Sequence, residues 1–340
     1  MTARTIEKLH RTTPALVMVI LSALTLALFM GSVLVGPSTL SLPDVLGALL
    51  SDEQNATGMI VREIRLPRAI LGMAIGATLG LSGAALQGFL RNPLAEPGLI
   101  GVSASAALGA VMTFYTGLAA WFALALPLGG MAGACIAVII VQLLTGRGGG
   151  SLSLILAGIA VSSFAAALTS LALNLAPNPF AALEIMFWLM GSLADRSFEH
   201  VWLALPFMAL GWLVLLSTAR PLNALTLGED TATTLGINLA SLRLKIVLGS
   251  AICVGAATSV AGAIGFIGLV VPHILRPLVA HKPSVLLPAS MLGGAALTLA
   301  ADITVRLVSP ERELKLGVLT ALVGAPFFLI LILRHRKKML

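Results

Sequence analysis

Long apolar runs separated by short polar breaks set the pattern of this chain. They lie at residues 14–36, 66–90, 97–116, 118–145, 151–174, 198–218, 242–263, 264–280, 284–306 and 314–334. A helix needs roughly 20 apolar residues to cross a bilayer, so the pattern predicts an all-α polytopic membrane protein of about ten transmembrane helices joined by short loops. No sizeable soluble domain fits between the runs. No Pro- or Ser-rich linker and no convincing internal repeat divides the chain, which reads as one domain over residues 1–340. Arg4, Lys8 and Arg11 precede the first run, and no small-residue cleavage site follows it. It therefore reads as a retained span, with both termini cytoplasmic.

Two segments depart from this regularity. Ala176 to Phe180, APNPF, breaks the helix after the fifth run, and Ala181 to Leu193 offers only a partial crossing. A broken helix near 176–193 at membrane depth requires protein or a watery cavity to satisfy its backbone, which places a translocation path nearby. Trp188 and Met190 beside it either touch substrate or pack. The second departure is LGEDTATTLGIN, Leu227 to Asn238, the polar core of a segment spanning 226–238. Too short to span, it predicts a small helix and turn facing the cytoplasm, where it is a capped surface loop or the contact for a soluble partner. Glu229 and Asp230 fall at the positive end of the helix dipole, Ala232 and Leu235 lie three apart on one face, and Gly236 stops the helix. Within the second run, Gly72, Gly76, Gly80 and Gly83 put small residues along one face. Close helix packing and a moving pore-lining helix are the two readings.

Composition removes the soluble classes: 58% of the residues are hydrophobic and 10% charged, and the mean hydropathy is +1.02. The formal net charge of +7 follows topology. Loops assigned to the inside hold Arg4, Lys8, Arg11, Arg91, Arg147, Arg220, Arg243, Lys245, Lys282, Arg334, Arg336, Lys337 and Lys338. Those outside hold Arg62, Arg65, Arg68, Arg196, Arg306, Arg312 and Lys315, with Arg276 left in a run. The bias obeys the positive-inside rule and points to anionic lipid, not nucleic acid. Cys135 and Cys253 fall in apolar runs and read as inert core thiols. Catalytic constellations are missing from the sequence: there is no phosphate loop, no HExxH and no Cys/His metal spacing. TGRGGGS at Thr145 to Ser151 is a flexible turn. No metal site or cofactor is expected on this chain, and uphill transport must draw energy from a partner or an ion gradient.

The segment Arg65 to Val102, RLPRAILGMAIGATLGLSGAALQGFLRNPLAEPGLIGV, closely resembles the signature of the iron-siderophore and cobalamin permeases, the FecCD-type components of ATP-binding-cassette importers. So do LGEDTATTLGIN, AGAIGFIGLVVPHILR (Ala261 to Arg276), ADITVR (Ala301 to Arg306) and GVLTALVGAPFF (Gly317 to Phe328). The motifs follow the family's order across most of the chain. The resemblance implies ten helices, a permease dimer of identical or different chains, two cytoplasmic ATPase subunits that carry ATP and magnesium, and a periplasmic or lipid-anchored substrate-binding protein. Two positions depart from the family's pattern, with Ala263 and Lys315 standing where proline is usual. Ala263 removes a fixed kink before Gly265, and Lys315 adds a cation at the outer mouth.

Carried over by motif, LGEDTATTLGIN resembles the coupling helix that seats in the ATPase, with Gly228, Glu229, Asp230, Ala232, Leu235 and Gly236 as the coupling residues. Glu229 and Asp230 would cap the helix or pair with basic residues of the ATPase, and Ala232, Leu235 and Gly236 would form the close-packing surface. Arg65, Arg68 and Arg306 match positions that receive carboxylates of the binding protein, a task suited to the guanidinium fork. Snorkelling, or pairing with Glu63 or Asp302, is the other reading of these arginines. Asp302 pairs with Arg306 at i, i+4 or takes part in transport. Gly72, Gly76, Gly80, Asn92, Pro93, Glu96, Pro97, Gly98 and Asp302 complete the structural or pathway set. His273 and Arg276, three apart after Pro272, are expected to hydrogen-bond within the bundle. The resulting expectation is the inner-membrane permease subunit of an importer of ferric siderophore, working by alternating access and not itself an enzyme. Haem and cobalamin remain open as cargo, and an ion-coupled secondary transporter is the competing class.

Overall fold

The computed structural model describes residues 3–38, 40–50, 55–122, 124–146, 150–176, 178–308 and 314–339. Every element among them is helical. Each apolar run coincides with a helix: α1 (Ala3–Leu34), α4 (Leu66–Leu90), α5 (Val102–Tyr115), α6 (Ala125–Thr145), α7 (Ser151–Asn174), α9 (Phe198–Leu216), α12 (Leu239–Ala261), α13 (Ile267–Leu275), α14 (Pro283–Val308) and α15 (Leu316–Met339). Between them lie the short helices α2 (Leu42–Leu50), α3 (Ala56–Met59), α8 (Pro179–Leu189), α10 (Ala219–Leu225) and α11 (Glu229–Thr234). Among the described residues, seven helices are long and apolar enough to cross a membrane. The protein is thus a multi-pass, all-helical membrane protein, in which α5, α8 and α13 are shorter apolar pieces.

α2 was not foreseen. Ser41 and Asp44 cap it reciprocally: the Asp44 amide donates to the Ser41 hydroxyl over 3.3 Å, and the Ser41 amide to the Asp44 carboxylate over 3.1 Å. The Ser41 hydroxyl, which donates to the Asp44 carboxylate over 2.5 Å, and then the Ser41 amide hold that carboxyl below the usual carboxylate range. α3 runs through one π-helical stretch, Ile60–Arg65, into α4. Pro67, at the start of α4, has no N–H to continue the ordinary ladder, and the Leu66 amide bonds instead to the Val61 carbonyl, five residues back.

α4 lies at the centre, with 89% of its most apolar window buried, whereas only 17% of the corresponding window of α1 is covered. α4 packs most extensively on α14. A Cβ at Gly76 would strike the Gly294 carbonyl, and one at Gly80 the Ser290 carbonyl. At Gly83 it would meet Gly268 of α13. Glycine is the residue that lets these backbones touch, so the close-packing reading holds for Gly76, Gly80 and Gly83. Gly72 abuts the side chains of Leu193 and Leu299.

The expected interruption is present. α7 ends at Asn174, and α8 begins at Pro179 with the Asn178 side chain accepting from the Ala181 amide over 2.9 Å. Pro177, residues 147–149 of the Thr145 to Ser151 segment expected to form a turn, and Arg312 fall outside the described residues. One expectation is corrected: Cys253 is buried, but Cys135 is exposed. It sits on the apolar face of α6 that this chain leaves uncovered, so a thiol in an apolar run need not be a core thiol.

Candidate functional site

α10 and α11 form one bent projection at an end of the bundle. Asn223 of α10 accepts from the Ser284 amide over 3.0 Å, tying the projection to the start of α14. Gly228 (φ 110°) and Gly236 (φ 83°) bound α11 in backbone conformations that a side chain would strain. Ala232 is fully buried at 0% exposure and Leu235 is 61% exposed. Sequence spacing put these two on one packing face. The structure corrects this: Ala232 anchors α11 to its own chain, and Leu235, with neighbouring Leu227, offers the apolar surface outward. Glu229 and Asp230 are exposed, and no side chain caps this helix. Of the two roles open to them, capping is not the one the geometry realises. The Thr233 and Thr234 hydroxyls instead donate to the Asp230 carbonyl over 2.8 and 2.9 Å.

At the opposite end, Asp302 is 1% exposed and forms ion pairs with Arg68 at 2.8 Å and with Arg306 at 2.9 Å. The i, i+4 pair is as expected; the bond to Arg68, from α4, has no signature in sequence distance. Arg306 also donates to the Ser32 carbonyl (2.8 Å), the Val35 carbonyl (2.6 Å) and the Ser32 hydroxyl (2.7 Å). Arg65 donates to the Val33 and Leu34 carbonyls at 3.1 and 2.6 Å and to Ser38. Two guanidiniums therefore satisfy carbonyls that the last turn of α1 leaves without intrahelical partners. Arg65 and Arg306 are turned inward, and Arg68 is the most accessible of the three at 19%. Of the pairings foreseen for these arginines, Asp302 supplies two, with Arg68 and with Arg306.

Arg91 ends α4 in a left-handed conformation, φ 49°. In the following loop the Asn92 side chain accepts from the Leu94 amide over 2.9 Å, and Pro97 opens a 3-10 turn, Pro97–Ile100. The Leu99 amide donates to the Glu96 carbonyl over 3.0 Å, and the Ser162 hydroxyl to the Gly98 carbonyl over 3.4 Å. Pro97 packs where a Cβ on Gly268 would sit. Asn92, Glu96, Pro97 and Gly98 thus shape one turn wedged against α7 and α13, and Pro93 lies between them.

Beyond the broken helix, three glycines close a backbone junction. Side chains at Gly191, Gly262 and Gly317 would collide with the carbonyls of Ala263, Trp188 and Met190 respectively. The Ser192 amide donates to the Ala261 carbonyl over 2.8 Å, and the Gly317 amide to the Gly191 carbonyl over 3.3 Å. The ends of α8 and α12 and the start of α15 satisfy one another's irregular backbone in this way. Beside the junction an open concavity of about 710 Å³ is lined by Met190, Ala263, Phe266, Gly317 and Val318, among others. Met190 lines it, whereas Trp188 does not. Lys315 places its Nζ 5.6 Å from the centre of the Phe187 ring on α8.

The chain matches the FecCD transport family over residues 24–334. It belongs to that family. The FecCD-type relatives include the hemin transport system permease protein HmuU of Yersinia pestis, 38% identical over 96% of this chain and 98% of the relative. The cobalamin import system permease protein BtuC of Halobacterium salinarum is 42% identical over 82% of this chain and 74% of its own length. The ABC transporter permease protein YvrB of Bacillus subtilis is 40% identical over 85% and 83%. A solved metal-chelate type ABC transporter in an inward-facing conformation has a TM-score of 0.84, with 32% identity over 93% of this chain and 98% of that one.

Some connections in this FecCD chain were invisible in the sequence. Gln87 donates to the Gly268 and Leu269 carbonyls over 3.2 and 3.3 Å and accepts from Arg276 over 2.6 Å, joining α4 to α13. Trp212 of α9 donates to the Thr78 hydroxyl over 2.8 Å. A polar residue inside an apolar run was the available signal for Gln87. Arg276 bonds within the bundle as expected, and the His273 ring meets Phe327 edge-on at 5.8 Å between centroids.

Proposed function

We propose that this chain is the permease subunit of an ATP-binding-cassette importer in the cytoplasmic membrane, with both termini inside, moving a metal chelate by alternating access. The observation that carries the reading is α11, a short helix with two exposed carboxylates and an exposed leucine at its end. It is fixed to the bundle by Ala232 and by the Asn223 to Ser284 bond. A rigidly mounted projection transmits rigid-body motion, and a loose loop does not. Two cytoplasmic ATPase subunits holding ATP and magnesium would seat α11, with Gly228, Glu229, Asp230, Leu235 and Gly236 at the contact. A second permease subunit would close the concavity beside Met190 and Phe266 into a path.

On the outer side a substrate-binding protein would dock by its carboxylates. Arg68 and Arg306 share one carboxylate, Asp302, which leaves positive charge in excess among these three residues, and Arg68 is the more accessible of the two cations. Ferric siderophore is the first cargo proposed. Haem or cobalamin is the second, supported by what HmuU and BtuC are named for carrying. The test is ATP hydrolysis by the reconstituted permease with its ATPase and binding protein. Stimulation by one loaded chelate and not by the unloaded binding protein is expected. Uptake by the permease alone, driven by a proton or sodium gradient, would overturn the reading in favour of a secondary transporter.

A further inference from the structure

A second cavity, of about 240 Å³, lies where the ends of α4 and α13 meet the start of α14 and the α10–α11 projection, with Thr226 on its wall. Gln87, Arg91, Arg276 and His281 line it. Among the described residues that do so, none carries a negative charge. Arg276 spends one nitrogen on Gln87, and its Nε is buried without a hydrogen-bond partner. Burying an unsatisfied edge of a cation is costly, and a ligand oxygen would relieve it. Arg91 and His281 are both exposed at this rim, in left-handed conformations of φ 49° and 58°. The amides of Ser284, Val285 and Leu286 are already engaged, by Asn223 and the Lys282 carbonyl. Attraction for an anion therefore comes from the side chains, not from the N-terminus of α14.

We infer that this cavity binds the phosphate of an anionic phospholipid headgroup from the cytoplasmic leaflet. Three observations favour a lipid. The cavity lies at the helix ends, where headgroups sit. Its other walls are apolar, with Ala84, Leu286 and Leu287 beside the cations, which suits an amphiphile. Its volume is several times the ~30 Å³ share of one liquid water, enough for a phosphodiester with its ester carbons. Arginine forks bind phosphate, and basic pockets between transmembrane helices on the cytoplasmic side take such headgroups. Because Thr226 closes one wall, an occupied cavity would brace the root of α11. The inference shares with the proposed function only the cytoplasmic placement of α11.

Native mass spectrometry of the full-length protein tests this, after reconstitution in nanodiscs of phosphatidylcholine alone or doped with phosphatidylglycerol and release into mild detergent. Wild type is expected to retain phosphatidylglycerol in preference to phosphatidylcholine. The double variant Arg91→Gln/His281→Gln leaves the Arg276 to Gln87 bond intact and should retain about tenfold less, with an unchanged melting temperature in phosphatidylcholine. Arg220→Gln, an exposed charge off the cavity, should retain as much as wild type. Equal retention by wild type and the double variant, or equal loss in Arg220→Gln, would overturn the inference. If inorganic phosphate stabilises the wild type as much as phosphatidylglycerol does, the ligand is a free anion and the lipid source is refuted. Normal lipid retention with lost co-purification of the ATPase would instead assign the cavity to a protein partner and refute the lipid site.

Discussion

Asp302 shows how one buried carboxylate organises three helices. At 1% exposure it is out of reach of water, and Arg68 and Arg306 supply its partners. Removing one member of a buried pair strands the others, so Asp302→Ala should lower the unfolding free energy by about 3–5 kcal/mol. Arg306→Ala should cost more than Arg68→Ala, because only Arg306 also holds the Ser32 and Val35 carbonyls. Thermal melts of the full-length variants in detergent measure both, and a silent Asp302→Ala would remove the pin. Leu235 and Ala232 make the complementary case. Leu235→Asp alters an exposed position, so stability should stay within about 0.5 kcal/mol while coupled uptake falls. Ala232→Asp buries a charge and should lower the melting temperature. Were Leu235→Asp to leave both ATPase co-purification and uptake at wild-type levels, α11 would lose its assigned role.

Helix contacts in this protein depend on the absence of side chains as much as on their presence. α4 reaches α14 and α13 through Gly76, Gly80 and Gly83, where added methyls would meet backbone carbonyls that cannot rotate away. Gly80→Ala is therefore expected to destabilise by about 1–3 kcal/mol despite its better helix propensity. Gly47, inside α2, has nothing within 4 Å of an added Cβ, and Gly47→Ala should stabilise by about 0.4–1 kcal/mol. Denaturation of the two variants side by side separates contact from propensity. Equal, small effects would show that α4 and α14 can separate without cost.

Seen whole, the molecule is half a core. α4 and α12 are largely enclosed, whereas α6, α7 and α9 leave much of their apolar surface uncovered, Leu143, Phe164 and Trp202 included. Such faces need lipid or another subunit. Orientation is testable in a Cys135→Ser background, since the Cys135 thiol is exposed and Cys253 is buried. A Thr231→Cys protein should react with an impermeant thiol reagent only from the cytoplasm. Asp52→Cys, at a position outside the described residues, should react from the opposite side. The reverse pattern would invert the topology and detach α11 from any cytoplasmic ATPase.

Hydropathy alone determined the class, the helical runs, the break after α7 and the polar projection, because each is a local property of consecutive residues set against a bilayer's thickness. The glycine spacing on α4 announced a close contact for the same reason. Partners distant in sequence were another matter. That Arg68 joins Asp302, that Arg65 caps α1, or that Gln87 bridges to Arg276 depends on which helices become neighbours, and no local pattern encodes that. Ala232 and Leu235 looked alike by spacing, and Cys135 looked like Cys253. Burial is decided by what packs against a position, and only the tertiary structure supplied the neighbour that covers one and leaves the other bare.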